Sequence, residues 1–209
     1  MDPSKIKAVV FDCDGVMFDT SAANRKYYDG ILKKFNKPRL NEEQFTNVHM
    51  MTAKKAIEYL FPEMDAGSEP ECLSNIGYHK FIKYMIMEDG FVSLLKALKK
   101  NGFIRGVATN RTNTMEKVLE NFNLENCFEV VETAATVKNP KPDPEQLLKI
   151  MGKFKLKPKQ VLFVGDSEYD RRAAEGADTF FAAFKNPDLK ADFNVGSMDE
   201  LACILQINE

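Results

Sequence analysis

The sequence predicts an α/β fold: a doubly wound, mostly parallel sheet with an all-helical segment inserted after its first strand. Three observations carry that expectation. Short runs apolar on both faces and rich in β-branched residues recur along the chain, as in strands covered on both sides. Between them lie helical periods of i, i+3, i+4, i+7, and strands alternating with helices imply βαβ units. One long stretch, roughly 21 to 87, interrupts the alternation with helical or polar sequence alone.

In chain order, the runs read as strands are Ile6–Phe11, Ile104–Ala108, Phe128–Val131, Val161–Val164 and Thr179–Phe184. Ser21–Phe35, Thr52–Leu60 and Glu71–Met87 read as the helical or polar parts of the insert, with no convincing strand there. Glu88-Asp89-Gly90 marks the return to the sheet. Phe91, Leu94, Leu95 and Leu98 then share one helix face, with Gly102 placed as a C-terminal cap. Met115, Val118, Leu119 and Phe122 repeat the spacing, with Asn113 and Glu116 expected as a capping box. Asp143-Pro144 reads as an N-cap and first-turn proline ahead of Leu147, Leu148 and Met151. Leu201, Ile204 and Leu205 form a last helix face. The expected division is a Rossmann-like core of residues 1–18 and 88–209, with a helical cap at 19–87.

Composition narrows the function classes. With 209 residues, 44% apolar and 29% charged, the chain is long enough to bury a core without disulfides or a structural metal. A formal net charge of −2 opposes a general electrostatic grip on nucleic acid or an anionic membrane. No apolar run reaches membrane-spanning length, and the first residues lack the pattern of a signal peptide. Cys13, Cys72, Cys127 and Cys203 have no paired spacing, which argues against zinc and a disulfide framework. A cytoplasmic protein without nucleic-acid or membrane partners, monomeric or weakly dimeric, is the expectation. The lysines at 153, 155, 157 and 159 read as a solvated face.

The chemistry concentrates at strand ends. Phe11-Asp12-Cys13-Asp14-Gly15 places two carboxylates at the carboxyl end of a buried strand, where parallel sheets bind ligands. Neighbouring acids repel, so the pair calls for a cation or a shared proton, and carboxylate oxygens suit Mg²⁺. Gly165-Asp166 ends a second strand, with Asp170 following. Thr109-Asn110 ends a third and offers a hydroxyl, an amide and a backbone N–H to a phosphoryl group. Lys141, in Lys141-Pro142-Asp143-Pro144, supplies a cation from a stiff loop. Each alone is compatible with a turn or a solvated charge; their order is more specific than any member.

Together these segments resemble the haloacid dehalogenase superfamily of hydrolases, in the helical-cap branch with phosphoglycolate phosphatases and β-phosphoglucomutases. FDCDGVMFDT is similar to that family's first motif, VATN to the second, KPDPE to the third and GDSEYD to the fourth. The resemblance implies Asp12 as nucleophile and Asp14 as general acid/base. Thr109, Asn110 and Lys141 would bind the phosphoryl oxygens or offset their charge. It further implies Mg²⁺ held by Asp12, Asp166 and the Asp14 backbone carbonyl, with Asp170 just outside. Lys138 is a rival for the third motif, but only Lys141 is followed by proline. Asp19-Thr20 matches a hinge into the cap.

The implied activity is Mg²⁺-dependent hydrolysis of a small phosphorylated metabolite through an aspartyl phosphate. Asp14 argues against a dehalogenase, which typically lacks the second acid. A β-phosphoglucomutase-like mutase usually carries a histidine where this chain has Asn24. A non-catalytic phospho-binding module is the alternative from another class. Among the remaining residues, His49 and His79 read as ordinary surface or packing groups, and Met50, Met51, Met85 and Met87 as packing. Cys13 is expected to point away from the site, and Phe180, Phe181 and Phe184 to belong to a strand and its packing. Arg25, Lys26 and Arg39 are the cap cations expected to compete for a substrate's anionic tail.

Overall fold

A computed structural model describes residues 2–51, 53–63 and 76–207. Thr52 and the 71–75 part of the stretch expected over Glu71–Met87, with Cys72, lie outside them. Six parallel strands form one sheet: β1 (Ala8–Phe11), β4 (Ile104–Thr109), β5 (Val130–Thr133), β6 (Val161–Gly165), β7 (Phe180–Phe184) and β8 (Phe193–Val195), in the order β5-β4-β1-β6-β7-β8. β1 is central, pairing Val10 with Gly106 on one side and with Phe163 on the other. The chain builds outward from β1 to β5, then crosses to β6 on the opposite side. That reversal opens a crevice at the carboxyl ends of β1, β4 and β6.

Alternation along the strands explains the two layers. Val9, Phe11, Leu162 and Val164 face one apolar cluster, while Ala8, Val10, Val161 and Phe163 face the other. The first cluster is covered by α4 (Phe91–Lys100), α5 (Met115–Asn121) and α8 (Met198–Ile204). The second is covered by α6 (Glu145–Phe154) and α7 (Glu168–Gly176). Thus every strand read from the sequence is found, as the doubly apolar pattern requires.

Three local expectations need correction. The Asn113–Glu116 capping box is absent: α5 is capped at Thr114, with no side-chain bond to the helix. Instead the Thr114 hydroxyl accepts from Arg111 Nη1 at 3.3 Å. α6 begins one residue late, with Pro144 at the cap, although Asp143 Oδ1 still accepts from the Glu145 N–H at 3.0 Å. The stretch read as free of strands contains β3 (Ile86–Met87), antiparallel to β2 (Phe18–Asp19). Two residues are too few to show a period.

Between β2 and β3 the described elements are helical: α1 (Ser21–Lys34), α2 (Glu42–Met50), α3 (Ala53–Leu60) and a 3₁₀ segment at Tyr78–Tyr84. α2 carries a capping box of Asn41 and Gln44 that the apolar pattern alone did not reveal. Tyr28, Ile31, Leu32, Val48, Ala56, Leu60 and Phe61 form a separate apolar cluster. The insert therefore has its own core and stands over the crevice.

Candidate active site

Asp12 follows β1 directly, its N–H donating to the Val164 carbonyl at 2.9 Å, so the sheet ladder itself fixes the first carboxylate. Gly15 turns the chain back with φ +77°, and a Cβ there would lie 2.0 Å from Asp166 Oδ2. Only glycine lets the first loop pass that close to the end of β6. Lys141 Nζ lies 2.9 Å from Asp12 Oδ1 and 2.6 Å from Asp170 Oδ1, and its side chain is only 2% exposed. Asp170, on the first turn of α7, also accepts from the Ser167 N–H and hydroxyl. Both its oxygens are therefore occupied. Asp166, by contrast, turns into the crevice a carboxylate that hydrogen-bonds and ion-pairs with no other described residue.

The electrostatics follow from this crowding. Burial pushes the Asp12 carboxyl up, with Lys141 opposing and Asp170 and Asp14 adding to the effect. Burial raises Asp166 too, reinforced by Asp170 and Asp12. For Lys141 burial acts downward, but the charges of Asp12 and Asp170 outweigh it and push the ammonium up. Four carboxylates face two paired cations, Lys141 and Arg111, so full ionisation would leave two negative charges uncompensated. Asp12, Asp166 and Asp170 present oxygens within 4.8 Å of one another, a cluster that can hold a metal ion. An all-oxygen set of this charge suits a hard divalent cation.

The end of β4 supplies the opposite wall. Thr109 is wholly buried; its hydroxyl accepts from the Arg111 N–H at 3.2 Å, and its carbonyl accepts from Gln146 Nε2 at 2.7 Å. Asn110 Nδ2 donates to the Lys141 carbonyl at 3.0 Å, tying the second motif to the third. Lys138 is exposed, its backbone N–H donating to Glu145 Oε1 at 3.0 Å. Cys13 turns into the core as expected, and burial pushes its thiol up.

Above these residues lies a cavity of about 490 Å³ between sheet and insert. The structure thus brings Asp12, Asp14, Thr109, Asn110, Lys141 and Asp166 to one space, with Asp170 behind Lys141. Arg25, Lys26 and Arg39 are not among its walls. Arg25 pairs with Glu42 at 2.8 Å and lies over Phe45, Lys26 lies over the Tyr84 ring, and Arg39 is exposed. His49 and His79, read from the sequence as surface or packing groups, both line it. Burial holds His49 below the ordinary histidine range. The residue sequence reasoning passed over is Arg111, whose Nη2 and Nε meet Asp14 at 2.6 and 2.8 Å. Its position directly after Thr109-Asn110 was the available signal.

Comparison with known proteins gives the family and the fold. The sequence profile of the haloacid dehalogenase-like hydrolases matches residues 9–184. The chain belongs to that family. A crystal structure of a subfamily IA hydrolase of the superfamily from Geobacter sulfurreducens is 41% identical, covers 97% of each chain, and superposes with a TM-score of 0.81. The N-acetylmuramic acid 6-phosphate phosphatase of Pseudomonas aeruginosa is 27% identical over 88% of this chain and 84% of its own. The pyrophosphatase PpaX of Bacillus cereus is 27% identical over 96% and 97%. This hydrolase of the haloacid dehalogenase family thus has relatives named as phosphatases. None of its described helices is long and apolar enough to cross a membrane.

Proposed function

We propose that the chain is a Mg²⁺-dependent phosphatase that hydrolyses a small phosphorylated metabolite through an aspartyl phosphate on Asp12. One observation carries the reading: Lys141 bridges Asp12 and Asp170 while Asp166 stands unengaged across the same 4.8 Å cluster. Asp12, Asp166 and the Asp14 carbonyl would hold the Mg²⁺, whose charge offsets the repulsion between carboxylates and phosphoryl oxygens.

The protein's own groups do the rest. An Asp12 oxygen attacks phosphorus in line as the bond to the substrate oxygen breaks, and Asp14 passes a proton to that leaving oxygen. Lys141 and the Thr109 hydroxyl face the charge on the transferring group. In the second half Asp14 takes a proton from water while the water oxygen attacks phosphorus. The bond to Asp12 breaks, inorganic phosphate leaves, and the free carboxylate returns. Burial alone would raise the Asp14 carboxyl, but Arg111 outweighs it and holds it below the usual range, favouring the base form. The two curated relatives named above carry different substrates in their names, so the leaving alcohol stays a class: a phosphomonoester of metabolite size.

Chelation by EDTA is expected to stop phosphate release from p-nitrophenyl phosphate, and Mg²⁺ to restore it. Asp14→Asn should accumulate phosphate on the peptide containing Asp12, seen as a mass shift, and Asp12→Asn should carry none. Label on another residue, or full turnover by Asp12→Asn, overturns the assignment. Binding of phosphate esters without any turnover would instead make the chain a binding module.

A further inference from the structure

Arg111 stands in the loop between β4 and α5, with a side chain only 7% exposed. Its guanidinium meets both Asp14 oxygens as a fork, through Nε at 2.8 Å and Nη2 at 2.6 Å. Nη1 donates to the Thr114 hydroxyl at 3.3 Å. Nη2 also reaches the Tyr78 hydroxyl at 3.1 Å, and the guanidinium lies 4.7 Å from the centre of the Tyr78 ring. All three nitrogens are therefore committed. A planar fork fixes the plane of a carboxylate, which a lysine ammonium cannot do.

Tyr78 belongs to the helical insert, not to the sheet. Its hydroxyl donates to Asn24 Oδ1, and Asn24 Nδ2 lies 3.0 Å from His49 Nδ1. Asp14, Arg111, Tyr78, Asn24 and His49 thus form one connected chain from the sheet into the insert. Nothing in the phosphoryl-transfer steps above uses the Arg111 side chain as a contact to the substrate.

We propose that Arg111 is a positioning residue. It holds the Asp14 carboxylate facing the water that attacks the phosphorylated Asp12, and Tyr78 holds Arg111 in that pose when the insert sits on the sheet. The inference rests on Asp14 being the base of the hydrolytic half-reaction. It differs from a substrate-binding role, in which Arg111 would release Asp14 to grip the anion itself. The two roles separate kinetically. A misaimed base slows only the second half-reaction, so the phosphorylated enzyme builds up; a lost substrate contact weakens binding and slows the first.

The test is rapid-mix hydrolysis of p-nitrophenyl phosphate with Mg²⁺, reading the nitrophenolate burst, steady turnover and the mass of the Asp12 peptide. Arg111→Ala should give a burst near one per enzyme, followed by turnover roughly 10- to 100-fold slower, within the usual reach of a general base. Arg111→Lys should recover part of that loss. Tyr78→Phe, which keeps the ring and removes the hydroxyl, should slow dephosphorylation about 3- to 10-fold with the burst rate unchanged. Tyr78→Phe and Arg111→Lys decide the matter if Arg111→Ala proves unfolded by circular dichroism. A higher KM without phosphoenzyme overturns the inference in favour of substrate binding, and an equal slowing of burst and turnover overturns it in favour of a merely structural role. Asp14→Asn is run alongside. If it accumulates phosphoenzyme and the Arg111 variants do not, Arg111 alone is wrongly assigned; if it does not, the role of Asp14 falls and this inference with it.

Discussion

Lys141 carries its charge in a nearly dry place, between Asp12 and Asp170. Removing one partner of a buried ion cluster leaves uncompensated charge and commonly costs about 3–5 kcal/mol. Lys141→Met is therefore expected to lower the melting temperature as well as abolish most turnover, by roughly 10²-fold or more where charge develops on the phosphoryl group. Its raised ammonium is protonated in folded and unfolded chains alike below about pH 10. Asp12, however, raised to about 7, gains its charge across neutral pH, so the loss should grow from pH 6 to 8. A melt series from pH 6 to 8 checks this. Gly15→Ala tests the close approach to Asp166: the new methyl must displace that carboxylate in a strained φ. The expected outcome is a folded protein needing several-fold more Mg²⁺ for half-maximal activity, measured by titration. Asp12, Thr109, Lys141 and Asp166 were legible because each ends a strand or leads a helix in a local pattern. Arg111 directly follows Thr109-Asn110, but its pairing with Asp14, 97 positions away, shows only in the fold.

Elements followed the same logic. β1, β6 and β7 were readable because burial on both faces makes them continuous apolar runs. β8, with exposed Asn194 in its middle, gives no such run. The two-residue ladder of β2 and β3 matters more, because it and Gly90, at φ +75°, are the described connections between insert and sheet. Phe18 pairs with Met87, and the Glu88 N–H donates to the Met17 carbonyl at 3.0 Å. So short a ladder can bend without breaking either core, which leads to a moving insert over the cavity. Small-angle scattering should show a smaller radius of gyration with Mg²⁺ and vanadate than without them. An unchanged curve would mean that the insert is fixed in its present pose. The 490 Å³ cavity, whose upper wall includes Asn24, His49 and Tyr78, is the part of the site the sequence hid. Those residues come from separate turns of helix and meet only through the packing of the insert.

At the scale of the whole molecule, the acidic centre couples stability to pH in a way a bound cation should reverse. Asp12 and Asp166 have folded pKa values raised above their unfolded ones by burial and mutual repulsion. The stability such groups contribute is fully present below the unfolded value of roughly 4 and is lost as pH rises through the folded one. Asp14, Asp19 and Glu129 are shifted down, burial raising Asp14 and Glu129 but Arg111 and Arg105 prevailing, and Ser21 bonds lowering Asp19. Their contribution is present above roughly pH 4 and lost on acidification. The metal-free protein should therefore be most stable in mildly acid solution and weaken toward pH 8.5. Mg²⁺ binds the ionised carboxylates, so its stabilisation should grow with pH. At 100 times the dissociation constant it amounts to about 2.7 kcal/mol, roughly 5–10 °C for a chain of this size. Melting curves at pH 5.5 and 8.5, with EDTA or Mg²⁺, read both effects. Asp166→Asn removes one of the repelling charges and an ion ligand together. In EDTA it should melt above the wild type at pH 8.5, and it should lose most of the Mg²⁺ response. An equal Mg²⁺ shift at both pH values, or an undiminished one in Asp166→Asn, would place the cation somewhere other than this cluster.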